Sequence, residues 1–195
     1  GSGVVTLVVL ALAWLTVSGF QRRLEILAHT DKLTGLANRQ MLDQMLPQQV
    51  ALARRRKEPL SCVIADLDGF KQINDTYGHP AGDLMISSIA ELFTSVTRGA
   101  DLICRWGGDE FLFILPNCDQ AQACRFAEKL RTMVENHRIR VDKELVGLSL
   151  SLGVSELGEQ ESPDDMILRA DHALLASKSG GRNRVSEPEA TLLAN

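Results

Sequence analysis

At 195 residues, with a formal charge of −4 and a pI near 5.6, the chain has the length of about one domain plus an appendage. Its longest basic run, Arg54-Arg55-Arg56-Lys57, falls on an expected helix face, so a solvated surface is its simplest role and no nucleic-acid partner is expected. The four cysteines, Cys62, Cys104, Cys118 and Cys124, lack the paired spacing of a zinc site or a disulfide framework, which points to a reducing compartment.

Val4 to Phe20 carries no charged residue and is followed at once by Arg22-Arg23. The segment has no polar face, and its positive charge lies after the apolar run rather than before it, unlike a signal peptide. It is slightly short of the roughly 20 residues that cross a bilayer, and Gly1-Ser2-Gly3 would extend it. Residues 1–21 are therefore read as a transmembrane-like helix, and the positive-inside rule places the domain on its C-terminal side in the cytoplasm. Residues 22–30 read as a short helical connector with Leu24 and Leu27 on one stripe. With no initiator Met, the chain is expected to be a fragment of a longer protein. The main domain is placed at residues 31–187, with a tail at 188–195.

A helix is expected from Asn38 to Lys57, with Met41, Leu42, Met45 and Leu46 on one side and Pro47 as a kink or early break. Leu60 to Leu67 reads as a buried strand and Phe70 to Tyr77 as a short helix. Gly82-Asp83 opens a longer helix that ends near Arg98-Gly99. A hairpin follows, its flanks Asp101-Leu102-Ile103-Cys104 and Phe111 to Pro116. An Ala-rich helix spans Asp119 to about His137, and Val146 to Val154 alternates as a strand. Asp164 to Ser179 is a final helix stopped by Gly180-Gly181. Strands and helices alternate around one hairpin, so the sheet should be mixed and partly antiparallel, in an α+β fold.

Two segments carry chemistry. The hairpin turn is Gly107-Gly108-Asp109-Glu110, where adjacent carboxylates need solvation or a cation and the glycines admit unusual dihedrals and close approach. On this hairpin alone, a metal or ligand site and an ordinary Asp/Gly turn stand level. The second segment, Asp66-Leu67-Asp68-Gly69-Phe70-Lys71, sets a carboxylate at the end of a buried strand beside that hairpin. This is an arrangement that holds Mg²⁺ against substrate phosphates, and Lys71 supplies a compact positive charge for them. The amides around Gly69 and Phe70 offer further donors.

The chain resembles the GGDEF domains, the catalytic domains of diguanylate cyclases, from about Asp31 to Val185. The likeness rests on Asp31-Lys32-Leu33-Thr34-Gly35-Leu36-Ala37-Asn38-Arg39, on Asp66 to His79, on Gly82-Asp83, on the hairpin, and on Ala170-Asp171 through Lys178 to Gly181-Arg182-Asn183-Arg184. It implies a ferredoxin-like βαββαβ core. It also implies a Mg²⁺ (or Mn²⁺) site from Asp66, the Leu67 carbonyl and Asp109, with Glu110 completing the site or assisting deprotonation of the attacking hydroxyl. Asp68 is expected to support the loop rather than bind metal. Lys71, Lys178 and Arg182 match phosphate cations. Asn74 and Asp83 match the positions that hold guanine, and Phe70 and His79 match other substrate-site positions. As plain sequence, Asn74 is also a local turn former and Asp83 a helix N-cap.

Arg98-Gly99-Ala100-Asp101 matches an inhibitory RxxD site for the product, with Lys129 at the position of an assisting arginine and Arg125 nearby; lysine lacks the guanidinium fork. Leu175 stands where the family commonly has an aromatic residue, and packing there is expected to survive with some loss. The activity implied is condensation of two GTP into cyclic di-GMP and two pyrophosphates across a homodimer, at the inner membrane of a bacterium with the catalytic domain in the cytoplasm. A module that only binds GTP or cyclic di-GMP is the alternative, but its hairpin would typically have lost glycines or carboxylates, and this one keeps them.

Overall fold

The structure is a computed structural model that describes residues 29–188 together with Trp14. The transmembrane-like helix apart from Trp14, nearly all of the connector and the tail beyond residue 188 lie outside the described residues. Among the described residues, no helix is long and apolar enough to cross a membrane.

After a two-residue strand β1 (Ala37–Asn38), helix α1 spans Arg39–Arg56. Asn38 caps it, its Oδ1 accepting from the Met41 amide at 3.0 Å, and Lys57 ends it in the left-handed region at φ 55°. The sequence allowed a break at Pro47, but the helix runs through it. Burial of Leu42, Leu46, Val50 and Ala53 along one stripe outweighs the single hydrogen bond that proline forfeits. Strand β2 (Leu60–Asp68) follows, then α2 (Phe70–Tyr77) and α3 (His79–Thr94). Helix α3 starts earlier and ends earlier than its sequence pattern suggested. Gly78, at φ 83°, turns the chain directly into His79, and Pro80 sits within the first turn.

Strands β3 (Leu102–Arg105) and β4 (Glu110–Pro116) form the hairpin, and α4 (Gln120–Asn136) is held by a capping box between Asp119 and Gln122. The strand expected at Val146 to Val154 divides. Val146 closes a separate small hairpin, β5 (Ile139–Val141) with β6 (Glu144–Val146), and β7 begins at Ser149 and runs to Glu156. Gly147 separates the two beneath the Arg138 guanidinium, where a Cβ would collide. Helix α5 (Pro163–Ser179) is capped by Ser162, whose Oγ accepts from the Asp165 amide at 3.1 Å, and β8 (Val185–Ser186) closes the fold.

The main sheet runs β1-β3-β4-β2-β7-β8. Its four central strands pair antiparallel throughout, in the order of a ferredoxin-like βαββαβ core; the two-residue strands β1 and β8 add parallel pairings at the edges. Strand β2 lies between β4 and β7 and is buried along its whole length. Its alternate residues feed two layers. Val63, Ala65 and Leu67 pack with Phe111, Phe113 and Leu152 beneath α3 and α4, where Phe93 stacks edge-on against Phe111 at 5.1 Å and Phe113 at 5.3 Å. Leu60, Cys62 and Ile64 pack with Leu112 and Ile114 beneath α1 and α5.

Candidate active site

The second of those apolar rows ends in charge. Continuing Leu60, Cys62 and Ile64 by period two reaches Asp66, and continuing Ile114 and Leu112 reaches Glu110. Asp66 and Glu110 are direct cross-strand partners on the α5 side of the sheet. The hairpin is tied to the strand end by the Leu67 amide, which donates to the Asp109 carbonyl at 3.2 Å. The turn itself is Trp106 to Asp109, so Glu110 is the first strand residue rather than part of the turn. Gly107 and Gly108 are not among the positive-φ glycines. What Gly107 provides is room, since the Glu110 carboxylate folds over it and a Cβ would stand 2.8 Å from Oε2.

Burial raises the Asp66 carboxyl above the usual carboxylate range. The Lys178 ammonium, bonded to Asp66 Oδ2 at 2.7 Å, pulls it back in part, while the charges of Asp109 and Asp68 push it further up. Glu110 is likewise raised by burial and then by the charge of Asp66, with Lys178 opposing and Asp109 and Asp171 adding. These carboxylates sense one another and share too little positive charge. Among the described residues, no three acidic, His or Cys side chains stand ready as a complete metal cluster. Mg²⁺ is commonly held by one or two carboxylates plus substrate phosphates and keeps several waters. The surplus of negative charge at Asp66, Asp109 and Glu110 fits such a cation, and the Leu67 carbonyl belongs to the same strand end.

Asp68 is spoken for. Its carboxylate, 8% exposed, accepts from Ser149 Oγ at 2.8 Å, Ser151 Oγ at 2.7 Å and the Asn183 amide at 3.1 Å, which agrees with a loop-supporting part. Lys178, matched to a phosphate cation by sequence, is placed on Asp66. Its reach depends on how closely α5 crosses the sheet. A Cβ on Gly153 would collide with the Ala170 carbonyl and the Leu174 amide, so glycine alone lets the helix backbone lie on β7. Arg182 stands at φ 63°, exposed, with Nε 4.0 Å from Asp68 Oδ1.

Across the strand end, Lys71 is exposed on α2, and Asn74 is half-buried with its side chain against α3. Gly82 makes that contact: a Cβ there would collide with Asn74 Oδ1 and crowd the Phe70 ring. Asp83, the next residue, is exposed in the second turn of α3, so it is not the N-cap the sequence allowed; Gly78 holds that place. His79 opens the helix and is exposed. Leu175 is 63% exposed on α5, so no core packing depends on an aromatic side chain there.

On the far side of the hairpin, Arg98, Asp101, Arg125 and Lys129 line one cleft of about 440 Å³ with Gln122 and Cys118. Asp101 Oδ2 accepts from the Arg98 amide at 2.8 Å, and the Arg98 carbonyl accepts from the Asp101 amide at 3.0 Å, which closes the turn.

One clamp had no role assigned from sequence. Arg105 donates to the Gly108 carbonyl at 2.7 Å through Nη2 and to Asp31 at 3.1 Å through Nη1, and Asp31 also accepts from the Thr34 amide at 2.9 Å and hydroxyl at 2.7 Å. The Asp31 to Gly35 turn thereby anchors the carboxylate hairpin. The signal was the Asp-x-x-Thr-Gly spacing, legible as a turn but silent about its distant partner.

Residues 28–184 match the family model described as "Diguanylate cyclase, GGDEF domain". The response regulator PleD of Caulobacter vibrioides is 40% identical over 162 residues, which cover 82% of this chain and 36% of that protein. Diguanylate cyclase A of Treponema denticola is 43% identical over 132 residues, covering 67% of this chain and 36% of its own. The chain thus spans about a third of the length of these relatives. Among solved structures, the GGDEF domain of DgcB from Caulobacter crescentus, in complex with c-di-GMP, superimposes with a TM-score of 0.80 at 36% identity, covering 84% of this chain and 94% of that one.

Proposed function

The chain belongs to the GGDEF domain family of diguanylate cyclases, and we propose that it joins two GTP molecules into cyclic di-GMP with release of two pyrophosphates. The observation that carries this reading is the pairing of Asp66 with Glu110 at the end of two central strands, with the Asp109 charge acting on both. Asp66, the Leu67 carbonyl and Asp109 would hold Mg²⁺ or Mn²⁺, with Glu110 beside them. A cation held by them would supply Lewis acidity for a 3′-hydroxyl and for charge on the α-phosphate.

The chain's own groups supply the rest. Lys71 and Arg182 provide charge for the phosphates, and Lys178 is near enough to exchange Asp66 for a phosphate oxygen once Asp66 has another partner. Asn74, whose side chain lies against Gly82, and Asp83, the next residue, would suit the guanine edge, whose N1 and N2 donors match a carboxylate. Phe70 and His79 flank that region. Each domain holds one GTP, so two copies must face each other to align a 3′-hydroxyl with the partner's α-phosphate, and that alignment supplies much of the rate. Arg98, Asp101 and Lys129 in their shared cleft would bind the product and restrain the enzyme. The N-terminal apolar segment would anchor the chain in a bacterial inner membrane, with this domain in the cytoplasm.

The test is incubation with GTP and Mg²⁺ followed by chromatography of the products. Cyclic di-GMP is expected from the parent and none from Asp109→Ala. No product at any protein concentration would overturn the enzyme reading in favour of a nucleotide-binding module.

A further inference from the structure

Gly181, Arg182 and Asn183 follow one another at φ 111°, 63° and 48°. Two successive non-glycine residues in the left-handed region persist only where their surroundings hold them, and asparagine tolerates the region better than most. The Arg182 amide donates to the Ser177 carbonyl at 3.0 Å, and the Asn183 amide donates to Asp68 Oδ2 at 3.1 Å.

The Asn183 side chain then binds α4 at both ends of its amide. Its Oδ1 accepts from Arg131 Nη1 at 2.9 Å, and its Nδ2 donates to Glu135 Oε1 at 2.7 Å. Arg131 and Glu135 are themselves an ion pair at 2.8 Å, one helical turn apart, with Glu128 on the guanidinium from the other side. Arg131, followed by Asn183, holds the Glu135 carboxyl below its usual range. Only an amide satisfies this setting. Aspartate would lose the donor and set a second carboxylate against Glu135, and alanine would lose both bonds.

Arg182, by contrast, has little to hold its own side chain. It is exposed, and its nearest acid, Asp68, lies 4.0 Å away and is already filled by two serines. Its direction is set by the backbone turn, which the Arg182 amide on Ser177 and the bonds of Asn183 hold together.

We propose that Asn183 is a positioning residue. Clamped between Asp68 and the Arg131–Glu135 pair, it fixes the left-handed turn that presents Arg182 to the outer phosphates of the nucleotide. The inference rests on the reading of Arg182 as a phosphate cation.

The test compares binding of GTP and of GMP, which lacks the outer phosphates, to the full chain by calorimetry, with thermal unfolding as a fold control. Asn183→Gly keeps the turn accessible while removing the amide. It should weaken GTP on the order of tenfold and leave GMP unchanged. Arg182→Ala should do the same, and the double variant should lose no more than Arg182→Ala alone. Asn183→Asp should lose GTP affinity and regain it when combined with Glu135→Gln, which restores a donor opposite the new carboxylate. Should Asn183→Gly fail to fold, Arg131→Ala combined with Glu135→Ala removes both partners of the Asn183 side chain from α4 and should weaken GTP alone in the same way.

Equal losses for GTP and GMP, additivity with Arg182→Ala, or parental GTP binding in Asn183→Gly would each overturn the proposal. Parental GTP binding in Arg182→Ala would instead overturn the phosphate role on which it depends.

Discussion

Near the start of α5, Arg169 forks onto Glu161, with Nε on Oε1 and Nη2 on Oε2 both at 2.6 Å. Near its end, Lys178 reaches Asp66 with a single ammonium at 2.7 Å. Both carboxylates are largely buried. Burial pushes Glu161 up, but the Arg169 fork and the Gly158 amide outweigh it, and the group ends below the usual range. At Asp66 burial wins, because one ammonium faces a cluster that also contains Asp109, Asp68 and Glu110. One helix thus serves a satisfied ion pair at one end and an unsatisfied acidic site at the other. The satisfied pair stabilises the fold. The unsatisfied one leaves charge for a ligand to neutralise, which is how a binding site differs from a brace.

Cutting the brace should have the largest effect on stability. Arg169→Ala leaves Glu161 largely buried without its partner and should cost about 3 kcal/mol, lowering the melting temperature by roughly 6–12 °C at neutral pH. The pH dependence comes from the sign of the shift. Glu161 is lowered in the folded state, so its contribution is present above the ordinary value of 4.5 and is lost as pH falls through the lower folded value. The gap between parent and Arg169→Ala should therefore shrink in acid. A gap of constant size across the acid limb would make Arg169 a packing residue and remove one side of the comparison.

A smaller loss, about 2 kcal/mol, is expected from Gly153→Ala. The new methyl group would lift α5 from β7 and carry Lys178 away from Asp66. Thermal unfolding with steady-state kinetics checks it. Cyclase activity should fall further than the stability loss explains, whereas an unchanged kcat would mean that the close crossing does not place Lys178.

The sequence disclosed most of what depends on local pattern. The uniform apolar run of β2, the hairpin flanks, and the stripes of α4 and α5 are periodic over enough residues to be recognised. So is the acidic end of β2, because an aspartate interrupts an apolar row. Strands β1 and β8 are two residues each and have no period to detect. The early start of α3 depends on the left-handed backbone of Gly78, a tertiary choice. The Asp31–Arg105 clamp joins residues 74 apart and shows no spacing signal at all. Gly153 did carry a hint, as an isolated glycine inside a strand pattern marks a close backbone approach, although not which helix approaches.

The most direct check of the contrast is Glu110→Gln, which removes one of the crowded charges while keeping its shape. Glu110 is raised in the folded state, so its protonated form is the favoured one, and its contribution to stability is lost as pH rises through that folded value. In its ionised form it works against the fold. Thermal unfolding without nucleotide or metal should show Glu110→Gln more stable than the parent at neutral pH by about 1 kcal/mol, with the advantage fading in acid, while its cyclic di-GMP synthesis falls. A variant that melts below the parent at neutral pH would show Glu110 to be a structural carboxylate and contradict the account of this acidic cluster.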